Sequence, residues 1–194
     1  ENGFIQYQDQ LGELVLPEPS ILGDHQLYNI STSIAASRKI FNIKDEYIRN
    51  GIKNISLKAR LEEIKSGKLK DIAGNNKLVI DGGHNISASL SIANWIKNQN
   101  EEANLIVGMM KDKEHVEFIK AFENIVNSIT LIDIPNQDGA ISKEDFKKKL
   151  DNSKLNLKLS NGIEESIKSL SKNENTIILC VGSLYLAGEI LSLN

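Results

Sequence analysis

Hydrophobic and polar positions alternate in two registers along this chain. Phe4–Tyr7 and Glu13–Leu16 read as two short strands around Asp9-Gln10-Leu11-Gly12, which predicts a hairpin. Pro17 and Pro19 end the second strand, since proline cannot donate to a central ladder. A helix is expected from Asp24 or a neighbour through Ile30 and Ile34 to about Phe41. Asn42 is expected to cap a shorter helix that carries Tyr47 and Ile48 and closes at Gly51. Two strands and two helices are too little to close a core alone, so this quarter reads as the tail of a preceding domain. From about Leu57 the pattern changes. Lys77–Ile80, Asn104–Gly108, Ser128–Asp133, Leu155–Leu159 and Thr176–Val181 are short apolar or alternating runs, and Leu57–Leu61 is a candidate sixth. Helical periodicity follows most of them, over Ser87–Lys97, Glu114–Glu123, Lys143–Leu150, Gly162–Leu170 and Leu184–Leu191. Alternating strand and helix predicts an α/β fold, a mainly parallel sheet with helices on both faces. The expected division is 1–55, the end of one domain and a linker, and 56–194, a complete second domain.

One stretch stands out as a candidate site. Leu78-Val79-Ile80 ends a buried strand and Asp81-Gly82-Gly83-His84 turns, with Asn85 placed to cap the next helix. Leu90, Ala93 and Trp95 of that helix are expected toward a core. Asp81 and His84 then stand at the carboxyl edge of the sheet, where ligands of open α/β folds bind. Gly108-Met109-Met110-Lys111-Asp112-Lys113 and Gly182-Ser183 end two further strands and face the same edge. Lys111 and Lys113 suit phosphates or a carboxylate there. Ser183 begins a helix, a position open to an anion but also an ordinary cap. Arg60 is the last arginine in the chain and suits a phosphate better than any lysine here.

Composition narrows the chemistry. The 194 residues are 40% hydrophobic and 25% charged with a net charge of −3, which does not favour nucleic-acid binding. No apolar run approaches the roughly 20 residues of a membrane helix. Cys180, the one cysteine, lies in an apolar run and reads as a buried reduced thiol, so no intrachain disulfide or cysteine-based zinc site forms. His25, His84 and His115 lack metal-ligand spacing and, taken singly, read as surface or capping residues. No Gly-x-x-x-x-Gly-Lys-Ser/Thr loop is present: Ser66-Gly67-Lys68-Leu69 resembles its end, but position 62 is Glu and Leu69 replaces the hydroxyl. No Gly-x-Gly-x-x-Gly follows a strand either.

The order of these motifs resembles the C-terminal portion of the folylpolyglutamate synthase/dihydrofolate synthase branch of the Mur ligase family. The resemblance rests on Leu16-Pro17-Glu18-Pro19, Leu22-Gly23-Asp24-His25-Gln26 with Asn29, Arg60-Leu61, Asp81-Gly82-Gly83-His84-Asn85, Gly108-Met109-Met110-Lys111-Asp112-Lys113 and Gly182-Ser183-Leu184-Tyr185-Leu186-Ala187-Gly188. It implies that 1–55 ends an N-terminal ATPase domain and that 56–194 is the Rossmann-like C-terminal domain, with the P-loop and magnesium ligands outside this chain. It implies an ATP- and Mg²⁺-dependent ligase of folate biosynthesis that joins L-glutamate to dihydropteroate or folates through an acyl phosphate. Asn29, Arg60 and Asp81 would contact the nucleotide, and His84 and Ser183 the incoming glutamate. Arg60 and His84 would be catalytic, and no residue here would bind metal. A cytoplasmic monomer without nucleic-acid or membrane partners is expected. Lys58-Ala59 stands where the family tends to have Pro-Gly, Ile86 where it tends to have proline after the Asp-x-x-His-Asn run, and Ile30 where alanine follows the asparagine. Two alternatives are a non-catalytic relic of the same fold and a Mur-type ligase acting on a cell-wall precursor.

Overall fold

The computed structural model describes residues 3–21, 24–150 and 155–194, with only the backbone of Asp24 and His25. In the Leu22-Gly23-Asp24-His25-Gln26 motif, Leu22, Gly23 and the side chains of Asp24 and His25 therefore lie outside the described residues. Clustering of contacts divides the chain into two units, Glu1–Lys58 and Ala59–Asn194.

In the first unit β1 (Phe4–Asp9) and β2 (Gly12–Pro17) form the antiparallel hairpin, registered from Phe4 opposite Pro17 to Asp9 opposite Gly12. Asp9 holds the turn: its Oδ1 accepts from the Leu11 amide at 2.8 Å and pairs with Arg38 at 2.8 Å. Helices α1 (Asp24–Phe41) and α2 (Asp45–Lys53) complete the unit. Asn42 does not cap α2. It takes a left-handed φ of 45°, and the cap position falls to Lys44, whose side chain makes no cap bond. The expectation that this quarter cannot close a core is also corrected. Strand alternation turns Leu14 and Leu16 to the face that Tyr7 shares, and i,i+4 spacing brings Ile30 and Ile34 of α1 and Ile48 and Ile52 of α2 into one buried cluster.

The second unit is a six-stranded sheet in the order β3-β4-β8-β5-β6-β7. Its strands are β3 (Glu62–Ile64), β4 (Lys77–Ile80), β5 (Ala103–Val107), β6 (Ser128–Leu131), β7 (Leu157–Leu159) and β8 (Ile177–Val181). All neighbours are parallel except β3, which runs antiparallel to β4 with Glu62 opposite Ile80. The expected strand at Leu57–Leu61 is thus displaced. Its last residues form a turn, and pairing starts one residue later, because Ala59 and Leu61 both take left-handed φ (53° and 46°). Helices α4 (Ile86–Lys97), α5 (His115–Lys120), α6 (Lys143–Lys149), α7 (Ile163–Leu170) and α8 (Leu184–Leu193) follow strands as the alternation predicts. A further helix, α3 (Lys68–Ala73), was not expected. Two apolar layers flank the sheet. One is built on Val79, Leu105, Val107, Ile129, Leu179 and Val181, and the other on Leu78, Ile80, Ile106, Ile178 and Cys180, as period-2 alternation requires.

In α4 the buried stripe is Ser89, Ile92, Ala93 and Ile96, with Trp95 partly buried against the core. Leu90, expected inward, is 58% exposed. Ser89 takes the inward position instead, because its hydroxyl donates to the Ile86 carbonyl at 2.8 Å and carries no unmet polar group inward. Among the described residues no helix is long and apolar enough to cross a membrane.

Candidate functional site

The parallel strands bring their carboxyl ends to one edge, and because β3 is antiparallel its amino-terminal turn arrives at the same edge. Four sequence-nominated residues of the second unit, Arg60, Asp81, His84 and Ser183, lie on the segments gathered there. Asn29 belongs to the first unit, where it is exposed on α1 and donates to Gln26 Oε1 at 3.1 Å.

Asp81 is buried and holds backbone. Its Oδ2 accepts from the Leu61 amide at 2.8 Å and its Oδ1 from the Gly83 amide at 2.6 Å, so one carboxylate ties the Arg60 turn to the Gly-Gly loop. The same two segments meet again where the Gly82 amide donates to the Ala59 carbonyl at 2.9 Å. Arg60 lies across this junction. Its Nη1 donates to that carbonyl at 3.0 Å and stands 3.1 Å from where a Cβ on Gly82 would sit. Among the described residues no carboxylate pairs with Arg60, although Glu62 is two residues away; Glu62 Oε2 instead accepts from the Ala59 amide at 2.8 Å.

His84 Nδ1 lies 2.9 Å from the Gly82 carbonyl. A carbonyl only accepts, so Nδ1 carries the proton. In the neutral ring Nε2 is then an acceptor suited to an amine, and in the charged ring it is a donor suited to a carboxylate. His84 lines a cavity of about 290 Å³ with Met110, Asp112, Lys113, Ser183 and Tyr185 among its other walls. Lys113 pairs with Asp112 at 2.9 Å and holds that carboxyl below its ordinary range, and His84 acts in the same direction more weakly. The cavity thus offers an imidazole and an ammonium for anions and a carboxylate for a cation. Lys111 turns elsewhere, donating to the Asp138 carbonyl at 2.8 Å.

Ser183 is buried at the cavity wall, and its Oγ accepts from the Tyr185 amide at 3.1 Å as the cap of α8. Before it, Gly182 has a φ of 107°, and an added Cβ would lie 2.7 Å from the Gly108 carbonyl. That approach joins the β5 and β8 ends behind the cavity.

His115 is neither a surface nor a capping histidine. It is buried edge-on against Phe146, with Nε2 3.0 Å from the Met110 carbonyl and Nδ1 3.3 Å from Lys149 Nζ. Burial, helped by Lys149, lowers its pKa below the ordinary 6.5. The neutral ring therefore donates to Met110 and accepts from Lys149, fixing the loop that forms one cavity wall. Cys180 is buried, and burial alone raises its thiol to about 12, which leaves it an unreactive core residue. Among the described residues no three His, Cys, Asp or Glu side chains are grouped to hold a metal ion.

The model of the family described as dihydrofolate synthetase, C-terminal domain, matches residues 65–193. A probable dihydrofolate synthetase of Schizosaccharomyces pombe is 22% identical over 182 residues, covering 87% of this chain and 42% of that protein. A dihydrofolate synthase/folylpolyglutamate synthase of Buchnera aphidicola is 25% identical over 142 residues, covering 71% of this chain and 33% of that protein. Among solved structures, Mycobacterium tuberculosis folylpolyglutamate synthase complexed with ADP and AMPPCP superposes with a TM-score of 0.79 at 17% identity, over all of this chain and 48% of its own. A bifunctional folylpolyglutamate synthase/dihydrofolate synthase with Mn, AMPPNP and L-glutamate bound gives 0.75 at 17% identity, over 99% of this chain and 46% of its own. The chain spans less than half the length of these relatives.

Proposed function

The chain belongs to the dihydrofolate synthetase C-terminal domain family, and from that premise we propose that it is the C-terminal part of an ATP-dependent ligase. The ligase adds L-glutamate to dihydropteroate, to (poly)glutamylated tetrahydrofolate, or to both. The substrate carboxylate attacks the γ-phosphorus of ATP and ADP leaves. The glutamate amine then attacks the acyl carbon, inorganic phosphate leaves, and the amine loses its proton. We assign 1–55 to the end of the ATPase domain with its linker and 56–194 to the C-terminal domain. A cytoplasmic, monomeric enzyme fits this reading.

The observation that supports it most is the convergence of the Arg60 turn, the Gly82-Gly83-His84 loop and the Gly182-Ser183 helix start on one sheet edge beside a cavity with both charge signs. Arg60, lacking a carboxylate partner among the described residues, supplies a planar cation to the phosphoryl group in transfer. His84 receives the incoming amino acid, its Nε2 meeting the amine or the carboxylate according to protonation. Ser183, as cap, orients the wall beside it. Asp81 acts on the nucleotide side through the backbone it holds, tying the Arg60 turn to the Gly82-Gly83 loop. Asn29 has both a donor and an acceptor for an adenine edge. A divalent ion supplies charge neutralisation to such a transfer, and since the described residues offer no ligand cluster, its ligands would come from the ATPase domain.

The test is steady-state kinetics of Arg60→Ala in an intact ligase containing this chain. A cation that acts on transition-state charge is worth about 2–4 kcal/mol, roughly 10²–10³-fold in kcat, with a smaller change in KM for ATP. Arg60→Lys recovers part of this, keeping the charge without the fork of donors. Unchanged kcat with a lowered melting temperature would make Arg60 structural. The 194-residue chain alone should release no ADP from ATP with Mg²⁺, folate substrate and glutamate, and turnover near the order of 1 s⁻¹ would overturn the two-domain assignment.

A further inference from the structure

The turn that carries Arg60 is held in a conformation its residues resist. Ala59 and Leu61, on either side of the arginine, are both left-handed and both buried. Neither is the glycine or asparagine that accepts such backbone readily. Each has its amide anchored by a carboxylate: Glu62 Oε2, at the start of β3, takes the Ala59 N–H at 2.8 Å, and Asp81 Oδ2, just after β4, takes the Leu61 N–H at 2.8 Å. The Ala59 carbonyl is in turn held by the Gly82 amide and touches the Arg60 guanidinium. Glu62 is only two residues from Arg60, yet its Oε2 holds the Ala59 amide, and the guanidinium has no carboxylate partner among the described residues.

We propose that Glu62 is a positioning residue for Arg60: its carboxylate holds Ala59 in the left-handed conformation and thereby sets where the guanidinium meets a phosphate. The inference rests on the reading of Arg60 given above. It has a specific chemical consequence. Glutamine retains an oxygen that accepts from the Ala59 amide, whereas alanine does not. Glycine at position 59 adopts the same backbone without being held, so it should make Glu62 dispensable.

The experiment compares Glu62→Ala, Glu62→Gln, Ala59→Gly, the double variant Ala59→Gly with Glu62→Ala, and Arg60→Ala in the intact ligase, all assayed well below their melting temperatures. Amide exchange at Ala59 and Leu61 is followed alongside. Glu62→Ala should lower kcat about 10–100-fold, the scale of a misplaced catalytic group, with KM for ATP little changed and exchange at Ala59 accelerated. Glu62→Gln should stay within about threefold of the parent, and Ala59→Gly should return the double variant to within about threefold of Ala59→Gly alone. If Glu62→Ala does not fold, the double variant and Glu62→Gln carry the comparison. Normal kcat in Glu62→Ala while Arg60→Ala is impaired overturns this inference alone, as does failure of glycine to rescue. Normal kcat in Arg60→Ala overturns the reading on which it rests.

Discussion

The two edges of the second unit's sheet treat buried polarity and backbone strain in opposite ways. At the amino edge, polar side chains close on one another. Asn76 Oδ1 accepts from both the amide and the hydroxyl of Thr176, its Nδ2 donates to the Ala73 carbonyl, and Ser128 donates to Asn104. Where the backbone turns left-handed before β6 and β8, the residues are Asn124 and Asn175, which tolerate it. At the carboxyl edge Ala59 and Leu61 are left-handed beside Asn136 in the loop after β6, Gly82, Gly83, Gly108 and Gly182 are packed too closely for a side chain, and Arg60 is left without a carboxylate partner among the described residues. The amino edge meets most of its buried polar groups locally, the Asn104 Nδ2 being a buried donor without a partner among the described residues. The carboxyl edge holds a costly geometry in place with the carboxylates of Glu62 and Asp81, the pattern expected where a site is pre-organised for a ligand.

Substitutions sharpen this contrast. The largest effect is expected at the carboxyl edge from Gly182→Val, which combines a forbidden φ with contact against the Gly108 carbonyl. A loss of about 3 kcal/mol or more, read as a lower denaturant midpoint or as insoluble protein, follows from overpacking against backbone. Asn76→Ala at the amino edge should cost about 2–3 kcal/mol, since two buried donors of Thr176 lose their acceptor, but should leave ligand binding at the far edge unchanged. Equal loss of binding in both variants would erase the distinction. Asn194→Ala should cost about 1 kcal/mol of melting stability: its side chain accepts from the Leu69 and Lys70 amides and so caps α3, where Gly67 has no side chain to do so.

The His115 effect depends on pH. Its folded pKa is depressed below the ordinary 6.5, so the unfolded chain binds the proton more readily. Stability from this group is complete above the unfolded value, falls as pH drops below about 6.5 toward the folded pKa, and then levels off. A denaturation series in which His115→Gln is compared with the parent from pH 8 to pH 5 should show the parent losing the more. Parallel curves would remove His115 from the account of the loop.

Elements whose signals are local were legible in the sequence. The strand at Lys77–Ile80, the Asn85 cap and the start of the helix at Leu184 all follow from residues within one turn of the feature. The α/β class and the gathering of Asp81, His84 and Ser183 onto one edge follow from strand–helix alternation, whereas Arg60 reaches that edge because β3 runs antiparallel to β4, which alternation does not predict. What escaped depends on partners far away in the chain. The cap of α3 is supplied from 125 residues onward, so Lys68–Ala73 carries no start signal of its own. Helical periodicity of the apolar positions points Leu90 inward, and the bond to Ile86 that makes Ser89 acceptable there instead is invisible in a pattern. The grip of Asp81 on Leu61, twenty residues away, turned an expected strand into a turn. No propensity encodes that.

The position of β8 bears on how the sheet is made. It is the last strand in chain order, yet it lies between β4 and β5 and pairs with both over their full lengths. During synthesis β4 and β5 would each wait with an open edge until Ile177–Val181 leaves the ribosome, so closure of this sheet is a late, long-range event. Such topologies fold slowly and expose aggregation-prone edges while they wait. A chain shortened to end before Ile177 should therefore lose the middle of its sheet rather than a margin, and should be recovered as a target for chaperones and proteases, not as a smaller domain.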